Sequence, residues 1–344
     1  MENSPLYVQQ NRAKTLIMKA IIATEPGGPE VLGIIETEEP KAQKGEVKIQ
    51  VKAFGLNKAE SYYRSGAYGI FNSELALGYE AVGEVIEDSS GTFEAGQKVA
   101  TAMGGMMLAR HGGYAEFITV NLNNVIRIDS NLSFEELAAL PEAYLTIWGA
   151  LDKSLRISEG QTLLVRGATS SIGLTAVTYA KMRGLTVIAT TRTAESSEKL
   201  KSLGADYVVI DNGEVHASVK SIISKGIDNA IEIVGAATLL DTAKCVKPWG
   251  EVVVVGLLGG PPILKSFNLM MDLPNTVKLS FFNSQLLGTE ILPLKESPLN
   301  MIAEKVANGS MPSTLAKVYS FEDIQEAHKL LDSGKAGGKI VVKI

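Results

Sequence analysis

The sequence predicts an α/β protein of two domains, one mostly β and one built on a parallel sheet flanked by helices. Three observations predict it. The 344 residues exceed what one hydrophobic core usually fills. From Met18 to about Asn131 the chain is a succession of short β-like runs broken by glycine-containing turns. After Pro141, strand candidates alternate with helix candidates, which is the pattern of βαβ units around a parallel sheet.

In order along the chain, Met1 to Ile17 is polar and mixed in charge and lacks the apolar core of a secretory signal, so residues 1–17 read as an N-terminal extension. Arg12 and Lys14 leave a targeting role open there. Strand-like sequence begins at Met18, and Glu46 to Val51 alternates in the same way after the turn Glu25-Pro26-Gly27-Gly28. Strands are expected at Gly78 to Ile86 and from Gly112 to Phe117. Between these two, Met103, Met106, Met107 and Leu108 read first as ordinary loop packing, with an adaptable apolar flap over the substrate as the alternative, because methionine fills irregular pockets. The second half offers strands at Thr162 to Arg166, Thr186 to Thr190, Tyr207 to Ile210, Ala230 to Val234 and Glu251 to Val255. Ile172, Ala176, Val177 and Ala180 recur at helical spacing between the first two. A helix at Glu322 to Leu331 and an apolar strand at Lys339 to Ile344 end the chain and are expected to return to the first domain.

Composition narrows the function. A formal net charge of -5 argues against nucleic-acid binding, which needs clustered basic residues. No apolar run approaches bilayer length, so no membrane span is expected. Cys245 is the single cysteine, which precludes an intramolecular disulfide, makes a thiolate-bound zinc improbable and fits a reducing, cytoplasmic compartment. His111, His216 and His328 are not paired at ligand spacing and read as surface or structural residues.

The most informative segment is Leu163 to Gly173, a strand running through Gly167, Ala168, Thr169, Ser170, Ser171 and Ile172 into a helix. Small residues allow a tight turn, and free amides at a helix N-terminus receive an anion such as a pyrophosphate. Ala168 and Ser170 stand at the first two glycine positions of the dinucleotide fingerprint, and only Gly173 is retained. The next strand ends Thr190-Thr191-Arg192, where NAD binders usually carry an acid. A guanidinium and hydroxyls there favour a 2′-phosphate, so the expected cofactor is NADPH, with Lys199 a weaker phosphate candidate. Further cofactor contacts are expected at strand ends: Val234, Gly235, Gly256, Leu257 and the region Leu279, Ser280 and Phe281.

Several separated segments agree in order with one family: Gly27 to Leu32, Gly55 to Glu60, Arg64 to Tyr68, Gly112 to Glu116, and Leu145 to Trp148 ahead of the phosphate loop. From Met18 to its C-terminus the chain resembles the medium-chain dehydrogenase/reductase superfamily, in particular its quinone oxidoreductase, zeta-crystallin-like branch. The resemblance implies a GroES-like catalytic domain at 18–141 and 284–344, a doubly wound Rossmann domain at 142–283, and a homodimer. Zinc-dependent relatives carry a Cys and a Gly-His-Glu motif where this chain reads Asn57 and Gly78-Tyr79-Glu80, so no metal is expected. It also implies that Asn57, Glu60, Tyr62 and Tyr68 border the nicotinamide and substrate, with Thr146 near the cofactor amide or ribose.

Without a Lewis acid, the simplest chemistry is hydride transfer to an acceptor that delocalises charge itself, a quinone or an α,β-unsaturated carbonyl. Tyr62 or Tyr68 could donate to the oxygen on which charge develops, packing and substrate-shape control being the alternative for each. Two other functions stay open: a double-bond reductase for enones or alkenals, and a cofactor-binding structural or RNA-associated protein without turnover.

Overall fold

The computed structural model describes residues 16–344, so the expected N-terminal extension lies outside the described residues as far as residue 15. Strand β1 (Ile17–Ala23) pairs antiparallel with β2 (Leu32–Glu38) across the Gly27-Gly28 turn. The main sheet of this domain contains β3 (Glu46–Gly55), β4 (Glu80–Asp88), β5 (Lys98–Ala102), β6 (Phe117–Asn121) and β7 (Val125–Arg127). Two late strands join it, β14 (Leu315–Ser320) and β15 (Lys339–Lys343), giving the order β14-β15-β3-β4-β5-β7 with β6 beside β3. Along β3, Val47, Ile49, Val51 and Ala53 all turn into the core, as period-two alternation requires.

The second sheet contains β8 (Thr162–Arg166), β9 (Thr186–Thr191), β10 (Tyr207–Ile210), β11 (Ile227–Glu232), β12 (Val246–Val254) and β13 (Lys278–Phe281). All pairings are parallel, in the order β10-β9-β8-β11-β12-β13. Both faces are covered, so Leu163 and Val165 enter one core and Leu164 the other, which is why β8 reads as a continuous apolar run. The chain order reverses on either side of β8, and the crevice at such a switch point is where open α/β sheets take ligands.

Nine helices fall within the described residues: α1 (Lys58–Arg64), α2 (Phe134–Leu137), α3 (Pro141–Trp148), α4 (Ser171–Met182), α5 (Ser197–Ser202), α6 (His216–Ile222), α7 (Leu239–Cys245), α8 (Leu299–Ala307) and α9 (Ile324–Ser333). The C-terminal strand does return to the first domain: Val341, Val342 and Lys343 pair with Gly55, Phe54 and Ala53. That pairing carries Lys339 to the end of β3, beside the loop that opens α1.

Several expected elements shift, each for a local reason. The strand expected at Gly78 starts at Glu80, because Gly78 has a φ of 104° and packs against the Tyr114 ring. Gly112 and Gly113 do not begin a strand: a Cβ on Gly113 would meet the Glu80 carbonyl oxygen at 1.9 Å, so this segment is a backbone-to-backbone contact and β6 starts at Phe117. The strand placed at Ala230 to Val234 ends at Glu232, whose carboxylate takes the next two free amides. Of the two readings of the methionine stretch, the structure supports packing and overturns the flap. Met103, Met106 and Met107 are buried in the β-domain core, with Met103 and Met107 held at φ of 60° and 67° by a tight loop that folds them inward.

Candidate active site and cofactor cleft

The loop after β8 is shaped for close approach. Gly167 has a φ of 85°, and a Cβ on Gly173 would meet the Gly167 carbonyl oxygen at 2.4 Å, so the helix can enter this near the strand only with glycine at 173. Ser170 is the N-cap of α4: its hydroxyl accepts from the Gly173 amide at 3.1 Å and donates to the Gly167 carbonyl at 2.8 Å. The serine therefore rigidifies the loop from within. Among the described residues the amides of Ser171 and Ile172 have no partner and the buried Ser171 hydroxyl oxygen makes no hydrogen bond, while Thr169 is exposed. Free amides at the start of α4 and an orphaned hydroxyl suit a pyrophosphate.

At the end of β9 the three candidates separate. Thr190 accepts the Gly167 amide at 3.1 Å and so braces the phosphate loop. Thr191 closes its own turn, donating to the Thr193 carbonyl at 2.9 Å and accepting the Thr193 amide at 3.2 Å. Arg192 is exposed, and among the described residues its guanidinium makes no hydrogen bond or ion pair. Lys199, the weaker phosphate candidate, instead donates to the Gly337 carbonyl of the other domain.

The end of β11 is self-contained. Glu232, fully buried, accepts the amides of Val234 at 2.7 Å and Gly235 at 2.9 Å on one oxygen and the Thr242 hydroxyl at 2.5 Å on the other. The amides of Val234 and Gly235 are thus committed within the chain. Gly235 lies against the Gly256 carbonyl and Leu257, where its missing Cβ leaves room. Leu279, Ser280 and Phe281 lie on the outermost strand, where with Leu239, Leu257 and Leu264 they line an apolar concavity.

Across the cleft, the β domain presents a buried polar cluster. Asn57 is the N-cap of α1 and Glu60 the third residue of that helix, and their reciprocal bonds form a capping box. The Asn57 amide nitrogen donates to Glu60 at 3.1 Å and Glu80 at 2.9 Å, while its oxygen accepts the Lys339 ammonium at 2.5 Å. Lys339 also pairs with Glu80 at 2.6 Å, and both side chains are about 1% exposed. Glu80 further accepts the Glu142 amide at 2.8 Å, and the Glu142 carboxylate accepts the Thr146 hydroxyl at 3.0 Å, tying α3 to the same cluster.

Electrostatics follow from this burial. Desolvation opposes the charge on Lys339, but Glu80, Glu142 and Glu60 around it outweigh that and hold its pKa above the ordinary value. Burial pushes the Glu60 carboxyl up to about 8, against the opposing pull of the Tyr79 amide, Lys339 and the Asn57 amide. Above the cluster, Tyr62 is half-buried and Tyr68 is 46% exposed, their rings edge to face at 6.0 Å. Burial raises both phenols, Tyr68 to about 12, with Tyr62, Glu60 and Glu142 adding to the effect there. Of the four expected active-site residues, Tyr62 and Tyr68 reach the surface, whereas Asn57 and Glu60 lie beneath it with their polar atoms engaged.

Two family models match the chain, one described as alcohol dehydrogenase GroES-like domain over residues 43–130 and one as zinc-binding dehydrogenase over residues 171–293. The human quinone oxidoreductase is 28% identical over 342 residues, covering 95% of this chain and 98% of its own length. The chain belongs to the medium-chain dehydrogenase/reductase superfamily. Among solved structures, a quinone oxidoreductase from Pseudomonas syringae pv. Tomato DC3000 superposes with a TM-score of 0.82 at 26% identity, over 95% of this chain and 100% of that one. The Escherichia coli quinone oxidoreductase complexed with NADPH superposes with a TM-score of 0.80 at 24% identity, again over 95% and 100%, and shares the fold.

Three residues central to this superfamily member's site escaped the sequence reading. Lys339 sits in an apolar run that reads only as a closing strand. Glu232 reads as the middle of a strand. Glu142 reads as the first turn of a helix. A charged residue within an apolar run, as at Glu232, is the signal that could have marked one of them, since burial of a lone charge demands a partner, whereas Lys339 opens its strand directly after Gly338 and carries no such mark.

Proposed function

We propose that this chain is an NADPH-dependent oxidoreductase that transfers hydride to a quinone without zinc. The observation that carries the reading is the Lys339 ammonium, lodged in the donor set where zinc-dependent relatives hold their metal and bonded to both Asn57 and Glu80. A cation is already there, Asn57 has no free donor, and the third position is Tyr79 rather than histidine. An acceptor that delocalises its own charge then suits the site best, which a quinone does.

NADPH suits the residues that would hold it: the Ser171 and Ile172 amides and the Ser171 hydroxyl for the pyrophosphate, with Gly167, Thr169, Ser170 and Gly173 shaping the loop, and Arg192, next in the chain after Thr190 and Thr191, for the 2′-phosphate. Val234, Gly235, Gly256, Leu257, Leu279, Ser280 and Phe281 would line its path to the nicotinamide end, near Thr146. When bound, it supplies the hydride. Tyr62 or Tyr68, a phenol neutral at physiological pH and held further from ionising by burial, donates to the oxygen on which negative charge develops. Asn57 and Glu60 set the floor beneath them, and Glu60 near pH 8 holds a proton at neutral pH.

The same cleft suits an enone or alkenal, whose charge also delocalises onto a carbonyl oxygen. The reading extends to a cytoplasmic homodimer: Cys245, the only cysteine, is fully buried, and no described helix is long and apolar enough to cross a membrane. The edge strand β13 exposes Phe281, and Trp249, Leu269, Met270 and Met271 are exposed as well, apolar surface suited to a second copy. NADPH consumption with quinones, enones, alkenals and simple ketones, with NADH in parallel, tests the reading. Quinone turnover with NADPH preference supports it, enone-only turnover makes the chain a double-bond reductase, and cofactor binding without turnover refutes the enzymatic assignment.

A further inference from the structure

Helix α3 lies in the chain between the last early strand of the β domain and the first strand of the parallel sheet, and its side chains reach both. On one side the Tyr144 hydroxyl lies 2.9 Å from that of Thr178 on α4, the helix whose N-terminus suits a pyrophosphate. Two residues on, about 200° further round the axis, Thr146 is buried and donates its hydroxyl to the half-buried Glu142 carboxylate at 3.0 Å. Leu140 offers α3 no side-chain cap, and the Glu142 amide is taken by Glu80 on β4 at 2.8 Å. The other Glu80 oxygen holds Asn57 and Lys339. The Glu142 and Thr146 face of the helix is therefore fixed to the polar floor of the cleft.

A threonine inside a helix ordinarily returns its hydroxyl hydrogen to a backbone carbonyl of the preceding turn. Helix α4 shows this twice: Thr175 donates to the Ser171 carbonyl at 3.1 Å and Thr178 to the Thr175 carbonyl at 3.0 Å. Thr146 departs from the pattern, its hydroxyl going to a side chain one turn back. A hydroxyl has one hydrogen and two accepting lone pairs, and a carboxylate only accepts. Burial raises the Glu142 carboxyl above its ordinary value, against the pull of Lys339 and of the Thr146 bond, but in either protonation state it offers an accepting oxygen. With its hydrogen committed there, the Thr146 oxygen meets any incoming group as an acceptor.

We propose that Glu142 is a positioning residue for Thr146: it takes the threonine's hydrogen and leaves the oxygen to accept from a donor at the nicotinamide end of the cofactor. The inference rests on the cofactor reading above, which sets that end of NADPH near Thr146. Two groups there carry a suitable hydrogen, the carboxamide N–H and the ribose O–H. A hydroxyl free to rotate serves a ligand donor or a ligand carbonyl equally. One whose hydrogen is held by Glu142 faces a carbonyl lone pair to lone pair and so selects the donor.

Titrations at pH 8 with three probes test this without turnover. They are NADPH; its 3-acetylpyridine analogue, in which a methyl ketone replaces the carboxamide and removes the N–H; and adenosine 2′,5′-bisphosphate, which lacks the nicotinamide riboside. Thr146→Val removes the acceptor and should weaken NADPH roughly 3- to 10-fold, the range for one neutral hydrogen bond. Glu142→Leu should lose most of that factor, whereas Glu142→Gln, whose side-chain oxygen still accepts, should lie near the wild type. Adding Glu142→Leu to Thr146→Val should cost little more, because the carboxyl acts through the threonine. Adenosine 2′,5′-bisphosphate should bind all variants alike. The proposal is overturned by a parallel loss with that probe, by unchanged NADPH affinity in Thr146→Val, or by a Glu142→Leu loss that persists in full beside Thr146→Val. The acetyl analogue tells the two donors apart: indifference to Thr146→Val identifies the carboxamide N–H, and a loss equal to that of NADPH identifies the ribose hydroxyl. A wild type that binds NADPH and reduces no acceptor refutes the oxidoreductase reading while the titrations still decide the Glu142 role. A wild type that binds no NADPH refutes the cofactor reading and this inference together.

Discussion

Replacing Lys339 by Met removes the cation bonded to Asn57 and Glu80 at the floor of the cleft. The side chain keeps its length and its packing, but the Asn57 oxygen loses its donor at 2.5 Å and Glu80 loses its ion pair at 2.6 Å. Glu80 is fully buried and would retain only the Asn57 and Glu142 nitrogens as donors. Breaking a buried pair from one side strands the other charge, at a cost of about 3–5 kcal/mol. The companion Glu80→Gln, Lys339→Met double variant removes both charges and leaves amide hydrogen bonds to Asn57 and Glu142. Its cost should therefore fall to within about 2 kcal/mol of the wild type, since neutral replacement of a buried pair is close to balanced. Denaturant unfolding of the four proteins, followed through a probe in the β domain, measures the cycle. A Lys339→Met variant within about 1 kcal/mol of the wild type, or a double variant costlier than either single one, would falsify the assignment of Lys339 as the partner that makes Glu80 tolerable in the core.

Three further outcomes follow from the same geometry. Arg192→Ala should weaken NADPH roughly 10-fold while leaving NADH nearly unchanged, the size expected for one solvent-exposed charge-assisted contact to phosphate; equal losses in titrations with the two cofactors remove its 2′-phosphate role. Exhaustive chelation should leave turnover intact, and reproducible loss restored by added zinc contradicts the metal-free reading. The raised Glu60 pKa carries a sign for stability: between the ordinary carboxyl value and about 8 the folded chain holds a proton that the unfolded chain releases, so this group lowers stability as pH rises through that window and is level above it. Glu60→Gln lacks this slope. The stability difference between Glu60→Gln and wild type should thus shift in favour of the variant from about pH 5 to pH 8, by at most about 1.4 kcal/mol per unit for one proton, and parallel curves in denaturation across that range rule the buried proton out.

The sequence by itself carried everything that depends on near neighbours. The parallel sheet was legible because strands buried on both faces must be apolar throughout, and the phosphate loop because its turn, its cap and its glycine lie within eleven residues of one another, Leu163 to Gly173. The exposed position of Arg192 was legible because it directly follows the strand next to that loop. Tertiary structure alone decided the floor of the site. Lys339 reaches Asn57 across 282 positions and His328 reaches Tyr114 across 214, contacts that exist only because β15 pairs with the end of β3 and α9 packs beside α1. It also decided that Met103, Met106 and Met107 turn inward, since a methionine is equally suited to a core or a flap until a fold supplies the walls. Local spacing specifies backbone shape. The partner of a buried charge is specified by which distant strand ends up beside it, and no pattern within a short window records that.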